Sequence, residues 1–173
     1  MNTNLNPNQE ALKRKSIPLW AGLIMAFVVW NVLPWAISLL LPRFGWTDIR
    51  PGAWNLLGLL LVILGNIGLY RGIIDHSAQT PSRIDFELDK LYLLTTGCYR
   101  YSRNPMYVAE LILMFGWVVF YGSAAVLIGL FVWWVFFNFF AVPKEERILE
   151  ARFGQTYREY KNQVPRWLGK IRN

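Results

Sequence analysis

Three long stretches of this chain contain no Asp, Glu, Lys or Arg: Ile17 to Pro42, Pro51 to Tyr70 and Leu111 to Pro143. A helix of about 20 apolar residues crosses the hydrocarbon core of a bilayer, so these runs predict membrane spans. The first is too long for a cleavable leader, and no small-residue cleavage site follows it. Hydrophobic residues make up 54% of the 173, with 9 Trp, 11 Phe and 8 Tyr, too many for a soluble domain of this size. The length predicts one domain, residues 1–173. The net charge of +7 then bears on membrane orientation, and no nucleic-acid partner is predicted. Cys98 and His76 are each the only residue of their kind, which excludes an internal disulfide and a cysteine metal cluster and argues against any metal centre.

In chain order, residues 1–16 read as a flexible polar N-terminus. A first helix is predicted over 17–41, kinked by Pro34, and a second over 52–74; together, 17–74 hold the first two spans. Gly58, Gly65 and Gly72 recur every seven residues, with Gly68 also in the run, a pattern that lets membrane helices approach closely. Residues 75–104 are too hydrophilic to span and form a connecting loop, in which Leu91 to Leu94 suit a short extended or interfacial segment. A third helix from Pro105 and a fourth to Val142 are joined at Tyr121-Gly122-Ser123, a turn signal, giving a tight hairpin over 105–142. Pro143 is expected to open a fifth, non-spanning helix, with a tail to residue 173. Leu149, Phe153, Tyr157, Tyr160 and Val164 form an amphipathic stripe along it. Gly154 interrupts the stripe at a cost of about 1 kcal/mol against Ala, so either the helix bends there or something approaches its backbone. The fold class is an all-α integral membrane protein with about four spans.

Lys and Arg mark the cytoplasmic side of a membrane protein. Lys13, Arg14 and Lys15 precede the first span, five basic residues lie between the second and third, and eight follow from Lys144. The other side has only Arg43 and Arg50. Both termini are therefore expected in the cytoplasm, as are the loop 75–104 and the C-terminal helix.

Two polar blocks flank the hairpin. The first, Gly97 to Glu110, places Arg100, Arg103, Asn104 and Glu110 around the start of an apolar helix. Pro105 suits the first turn of that helix, whose free N–H groups attract anions. A plain topological anchor would explain the arginines alone. The second block, Pro143 to Gly154, carries Glu145 and Glu146 in a first helical turn, where the helix dipole by itself would favour carboxylates.

In order and spacing, the combined pattern is more specific than either block. Gly-x-Tyr-Arg-x-x-Arg-Asn-Pro-Met-Tyr, a hairpin, then Glu-Glu-x-x-Leu-x-x-x-Phe-Gly-x-x-Tyr-x-x-Tyr-x-x-x-Val-Pro-Arg resembles the isoprenylcysteine carboxyl methyltransferase family and its phospholipid methyltransferase relatives, over about residues 95–166. The resemblance implies S-adenosylmethionine as cofactor, held by Gly97, Tyr99, Arg103, Asn104, Pro105 and Tyr107 with Glu145 and Glu146; Arg100, in the same block, goes with them. Many members have His where this chain has Asn104. Asn donates and accepts hydrogen bonds but cannot titrate, so its role here is hydrogen bonding. Arg103 is also a catalytic candidate, able to pair bidentately with a carboxylate of cofactor or substrate. Glu159 and Arg166 are weaker candidates on the substrate side, and a surface ion pair is the better explanation of them. The partners implied are membrane lipids and a lipophilic acceptor entering from the bilayer, with a carboxylate, amine, thiol or hydroxyl all open as the nucleophile. The oligomeric state is not legible.

Displacement at a sulfonium needs alignment and exclusion of water more than acid–base work. A second reading is an NADPH-dependent membrane reductase of the sterol type, whose similar Arg-x-Pro-x-Tyr-x-x-Glu step would place Glu110. The even balance of acidic and basic residues around the hairpin suits S-adenosylmethionine better than the strongly anionic NADPH. A third reading is a scaffold whose charges only set topology.

Overall fold

The computed structural model describes residues 17–77, 83–84 and 93–168. The flexible N-terminus predicted over 1–16, most of the loop after Ser77, including Leu91 and Tyr92, and the tail after Leu168 lie outside them. Leu93 and Leu94 belong to no helix or strand.

The chain is helical, with the minimum of strand. A first rod is built from α1 (Leu19–Phe27), a π-helical turn (Val28–Val32) and α2 (Leu33–Ser38). A 3-10 turn at Ala53–Leu56 leads into α3 (Leu57–Ser77). Then come α4 (Pro105–Tyr121), α5 (Ala124–Phe136), a second π turn (Phe137–Ala141), α6 (Val142–Phe153) and α7 (Gln155–Gln163). Two strand pairs tie connections together: β1 (Ile17–Pro18) with β4 (Arg83–Ile84), and β2 (Trp46–Thr47) with β3 (Arg50–Pro51). The first links the start of α1 to the loop after α3.

Among the described residues, three helical runs are long and apolar enough to cross a membrane: Trp20–Ser38, Ala53–His76 and Ala124–Phe153. α4, with 17 residues, is a shorter apolar helix. Large apolar side chains such as Leu57, Ile67, Phe131 and Phe140 point outward, as they do on a lipid-facing surface.

The glycine register predicted from sequence sets the closest helix packing, that of α3 on α4. A Cβ at Gly65 would sit 2.5 Å from Leu113 Cβ, and one at Gly72 2.6 Å from Met106 Cγ. A Cβ at Gly116, facing back from α4, would sit 2.6 Å from Val62 N. With little net hydrophobic drive between helices in lipid, close van der Waals approach of this kind holds them together. Asn31 and Asn66 add polar contact between α3 and the first rod, exchanging amide hydrogen bonds of 3.2 and 3.0 Å. On the side of the α4–α5 turn, Asn55 donates to the carbonyls of Phe44 and Val119, and the Arg43 guanidinium lies over the rings of Trp46 and Tyr121.

Pro143 acts differently from expectation. It does not open a separate helix: the helical run continues from Ala124 to Phe153. Proline removes an N–H and crowds the carbonyl four residues back. The π turn absorbs both effects, since Val142 N–H reaches five residues back to Phe137 O. The first rod repeats the device, with Leu33 N–H on Val28 O directly before Pro34. The real break falls at Gly154, whose φ of 52° and ψ of −120° end α6 and start α7. A Cβ there would meet nothing within 4 Å, so the glycine is required by its backbone angle rather than by a close neighbour.

Candidate functional site

The turn at Gly154 folds α7 back so that the stripe predicted from sequence covers the start of α4. Tyr157, Tyr160 and Val164 are buried together, with Leu93, Leu149 and Phe153 packed against them. Beneath lies a cavity of about 450 Å³, within the usual range for a small-molecule site. Both polar blocks line it. Tyr99, Arg103, Asn104, Pro105 and Tyr107 come from the first, and Lys144, Glu145 and Glu146 from the second, with Met106, Phe136, Ala141 and Ile148 supplying apolar wall.

An Arg–Glu–Arg network joins the blocks. Arg103 Nη1 donates to Glu146 Oε1 at 2.6 Å, while Arg166 donates through Nε to Oε1 at 3.1 Å and through Nη2 to Oε2 at 2.7 Å. The side chains of Arg103 and Glu146 are 10% and 8% exposed and that of Arg166 34%. Both oxygens of Glu146 are thus engaged by guanidinium groups. Its place is to hold the two arginines, and Glu145 is the neighbouring carboxylate that lines the cavity. Hydrogen bonding to Glu146 holds the Arg166 guanidinium above its ordinary pKa. Arg103 Nε is closed to solvent and makes no hydrogen bond among the described residues.

The strap after α7 is fastened by backbone. Arg103 N–H donates to Pro165 O at 3.0 Å. The Arg166 carbonyl accepts from Asn104 Nδ2 at 2.9 Å and from Ser102 Oγ at 3.3 Å. Asn104 therefore acts through hydrogen bonding, as its chemistry required, and its partner is the residue that carries the second arginine. Trp167 Nε1 donates to Asn138 Oδ1 in the second π turn at 3.3 Å. Tyr160 OH donates to Tyr99 O at 2.7 Å, and Tyr107 OH to Glu145 Oε1 at 2.7 Å. Tyr157 OH lies 3.5 Å from Arg103 Nη1. Burial first, and the neighbouring Glu146 second, raise the Tyr157 pKa; burial likewise raises that of Tyr160.

Some predicted residues lie elsewhere. Glu159 is solvent-exposed and bonded to Gln155 at 3.2 Å. It sits two positions from the inward-facing Tyr157, about 200° around the helix, and so points away from the cavity. Arg100 is also exposed and does not line it. Gly97 contributes shape: its φ is 60°, and a Cβ there would sit 2.6 Å from Asp75 Oδ2, the oxygen that accepts from the Cys98 thiol at 3.2 Å. Burial, then Asp75, push that thiol up to about 11.

Residues not singled out beforehand are His76, 3.4 Å from the Tyr99 hydroxyl through Nδ1, together with Ser102 and Asn138. A lone histidine at the end of a span gave no signal. Tyr157 and Tyr160 were visible as members of an apolar stripe and of the second motif, but not as site residues.

The residues present fit S-adenosylmethionine. An unsatisfied guanidinium nitrogen and Lys144 could meet its carboxylate, Glu145 its ammonium or hydroxyls, and the apolar wall its adenine. No group of three or more metal-binding side chains occurs among the described residues.

The chain matches the phospholipid methyltransferase family over residues 54–156. It is 35% identical over 63 residues to an uncharacterized protein of Haemophilus influenzae, covering 36% of this chain and all of that one. It is 33% identical over 113 residues to protein-S-isoprenylcysteine O-methyltransferase B of Arabidopsis thaliana, covering 62% of this chain and 55% of that one. The Saccharomyces cerevisiae protein-S-isoprenylcysteine O-methyltransferase is 32% identical over 121 residues, covering 64% and 46%. The chain thus spans about half the length of these two enzymes.

Proposed function

The chain belongs to the phospholipid methyltransferase family, and from that premise we propose that it transfers a methyl group from S-adenosylmethionine to a lipophilic acceptor at the cytoplasmic face of a membrane. One observation carries the reading. The two polar blocks, 43 residues apart at Arg103 and Glu146, meet in a single network at the mouth of an otherwise apolar helical bundle. When bound, S-adenosylmethionine supplies an electrophilic methyl group on a sulfonium. Arg103, Lys144 and Glu145 bind and orient it, Tyr107 fixes the Glu145 carboxylate, and α7 with its strap excludes water from above. The acceptor enters from the lipid, its tail against the apolar wall and its polar end among the charged groups. Both termini lie in the cytoplasm, in keeping with the Lys and Arg asymmetry.

The test is thermal unfolding of the detergent-purified protein. S-adenosylhomocysteine should raise the transition, by about 2.7 kcal/mol at a hundred times its Kd, and NADPH at the same concentration should not. Arg103→Ala should abolish the effect and Arg152→Ala, an exposed residue, should keep it. Stabilisation by NADPH alone would replace this reading with the reductase.

A further inference from the structure

The end of the bundle far from the cavity carries a fixed cation. α4 runs about 25 Å from Pro105 to Tyr121, which separates the α4–α5 turn from the cavity at its start. Beside that turn, Arg43 is held from several sides. Its Nη2 donates to Ser38 Oγ at 2.8 Å, and that buried hydroxyl donates to Trp35 O at 2.6 Å. Its Cζ lies 4.7 Å from the Trp46 ring centroid and 5.0 Å from that of Tyr121. Trp46 is fixed in turn, donating through Nε1 to Phe120 O at 2.9 Å. Among the described residues Arg43 pairs with no carboxylate and is bonded through Nη2 alone, so most of its donors stay open. Arg43 and Ser123 are directly opposed in an isolated antiparallel bridge, and residues so paired send their side chains to the same face. Ser123 precedes α5 without capping it through its side chain. The residue is 1% exposed, and its Oγ is closed to solvent with no hydrogen-bond partner among the described residues.

A charge without a counterion at the edge of a hydrocarbon layer is costly. Between Leu39 and Leu57 the charged residues are Arg43, Asp48 and Arg50, and the α4–α5 turn adds none, so the local balance is positive. The rim is apolar: Leu40, Leu41 and Phe44, next to Arg43 in sequence, are all exposed. A phosphate diester with fatty chains meets each of these conditions. Its oxygens accept paired N–H bonds from a guanidinium and an O–H bond from a serine, and its chains cover the rim. We propose that Arg43 and Ser123 form a site for the phosphate of a membrane phospholipid in the leaflet away from the cavity. The lipid is a structural ligand there: it ties the first rod, through Arg43, to the start of α5, through Ser123. It supplies the anion that Arg43 lacks and the partner that Ser123 Oγ lacks.

The test uses the protein in dodecyl maltoside micelles, without cofactor, and three probes. Dioctanoylphosphatidylglycerol carries phosphate and tails, dioctanoylglycerol the same tails alone, and inorganic phosphate the anion alone. Apparent affinity is read from the rise in thermal unfolding temperature with probe concentration. The phospholipid should bind at least about tenfold more tightly than either of the others, as charge-assisted hydrogen bonds to a guanidinium imply. Arg43→Gln should remove that preference, whereas Arg152→Gln, which removes an exposed cation on α6, should keep it. Ser123→Ala should weaken phospholipid binding by about threefold or more, the loss of one neutral hydrogen bond. Without lipid, its unfolding should match that of the parent, because the hydroxyl makes no bond that the change could break. That variant decides the matter if Arg43→Gln does not fold. Equal binding of dioctanoylglycerol would overturn the proposal, as would a preference that survives in Arg43→Gln or full affinity in Ser123→Ala. Equal binding of inorganic phosphate would overturn it too, assigning the site to a free anion instead of a lipid.

Discussion

Replacing Glu146 with Gln tests the network that joins the two blocks. The side chain keeps its shape but loses its charge and one acceptor. If the amide oxygen takes the Oε1 position, it retains weakened contacts to Arg103 Nη1 and Arg166 Nε. The amide nitrogen then faces Arg166 Nη2 at 2.7 Å, donor against donor. Arg166, 34% exposed, can swing into solvent, but Arg103, 10% exposed, cannot. Hydrogen bonds to charged groups contribute about 1.5–3 kcal/mol each, and stranding one partner of a buried pair costs about 3–5 kcal/mol. With one guanidinium able to escape, the lower end applies, and the loss should be about 3 kcal/mol. Unfolding in dodecyl maltoside micelles titrated with dodecyl sulfate, followed by tryptophan fluorescence, measures it. Arg166→Gln should cost less, about 1 kcal/mol, because its exposed pair is screened. Arg103→Gln combined with Glu146→Gln should cost about 2 kcal/mol less than the sum of the single changes. A loss below about 1 kcal/mol for Glu146→Gln, or additivity in the double variant, would refute the account of a shared buried anion.

Gly65→Ala places a methyl 2.5 Å from Leu113 Cβ, so α3 and α4 must part by about 1 Å to reach ordinary contact, at a cost of about 1–3 kcal/mol in the same titration. Gly129→Ala, whose nearest neighbour would be Ile37 Cδ1 at 4.0 Å, should instead gain up to about 1 kcal/mol of helix propensity. Cys98, with its thiol held near 11, should resist iodoacetamide at neutral pH and react about tenfold faster per pH unit up to that value; Asp75→Asn should speed it several-fold. Glu159→Gln should leave S-adenosylhomocysteine binding unchanged, as measured by thermal shift. A reporter fused at Asn173 should read as cytoplasmic and one in the turn after Tyr121 as external.

Much of this was legible because it is written in side-chain periodicity. The seven-residue spacing of Gly58, Gly65 and Gly72 named the contact face of α3, and the turn signal at Tyr121-Gly122-Ser123 named the hairpin. The stripe through Tyr157 and Tyr160 named the cover of the site, though not that it would turn back at Gly154. What escaped was carried by backbone. The strap is held through the carbonyls of Pro165 and Arg166, and a carbonyl has the same appearance at every position of a sequence. The commitment of Glu146 to two arginines depends on distances that no spacing rule supplies. Pro143 gave a strong local signal for a helix start, but the π turn before it overrode that signal within a continuous rod.

That π turn fixes a phase. Each extra residue in a helix rotates everything downstream by about 100° about the axis, so Phe137–Ala141 works like a vernier set between two aligned scales. Upstream, α5 follows one lipid-facing register; downstream, Glu145 and Glu146 are offset onto the cavity. Deleting a single residue within Phe137–Ala141 would restore α-helical winding and carry both carboxylates about a quarter turn away from Tyr107 and Arg103. The spans would still be there and still be apolar, with the site's two halves out of step.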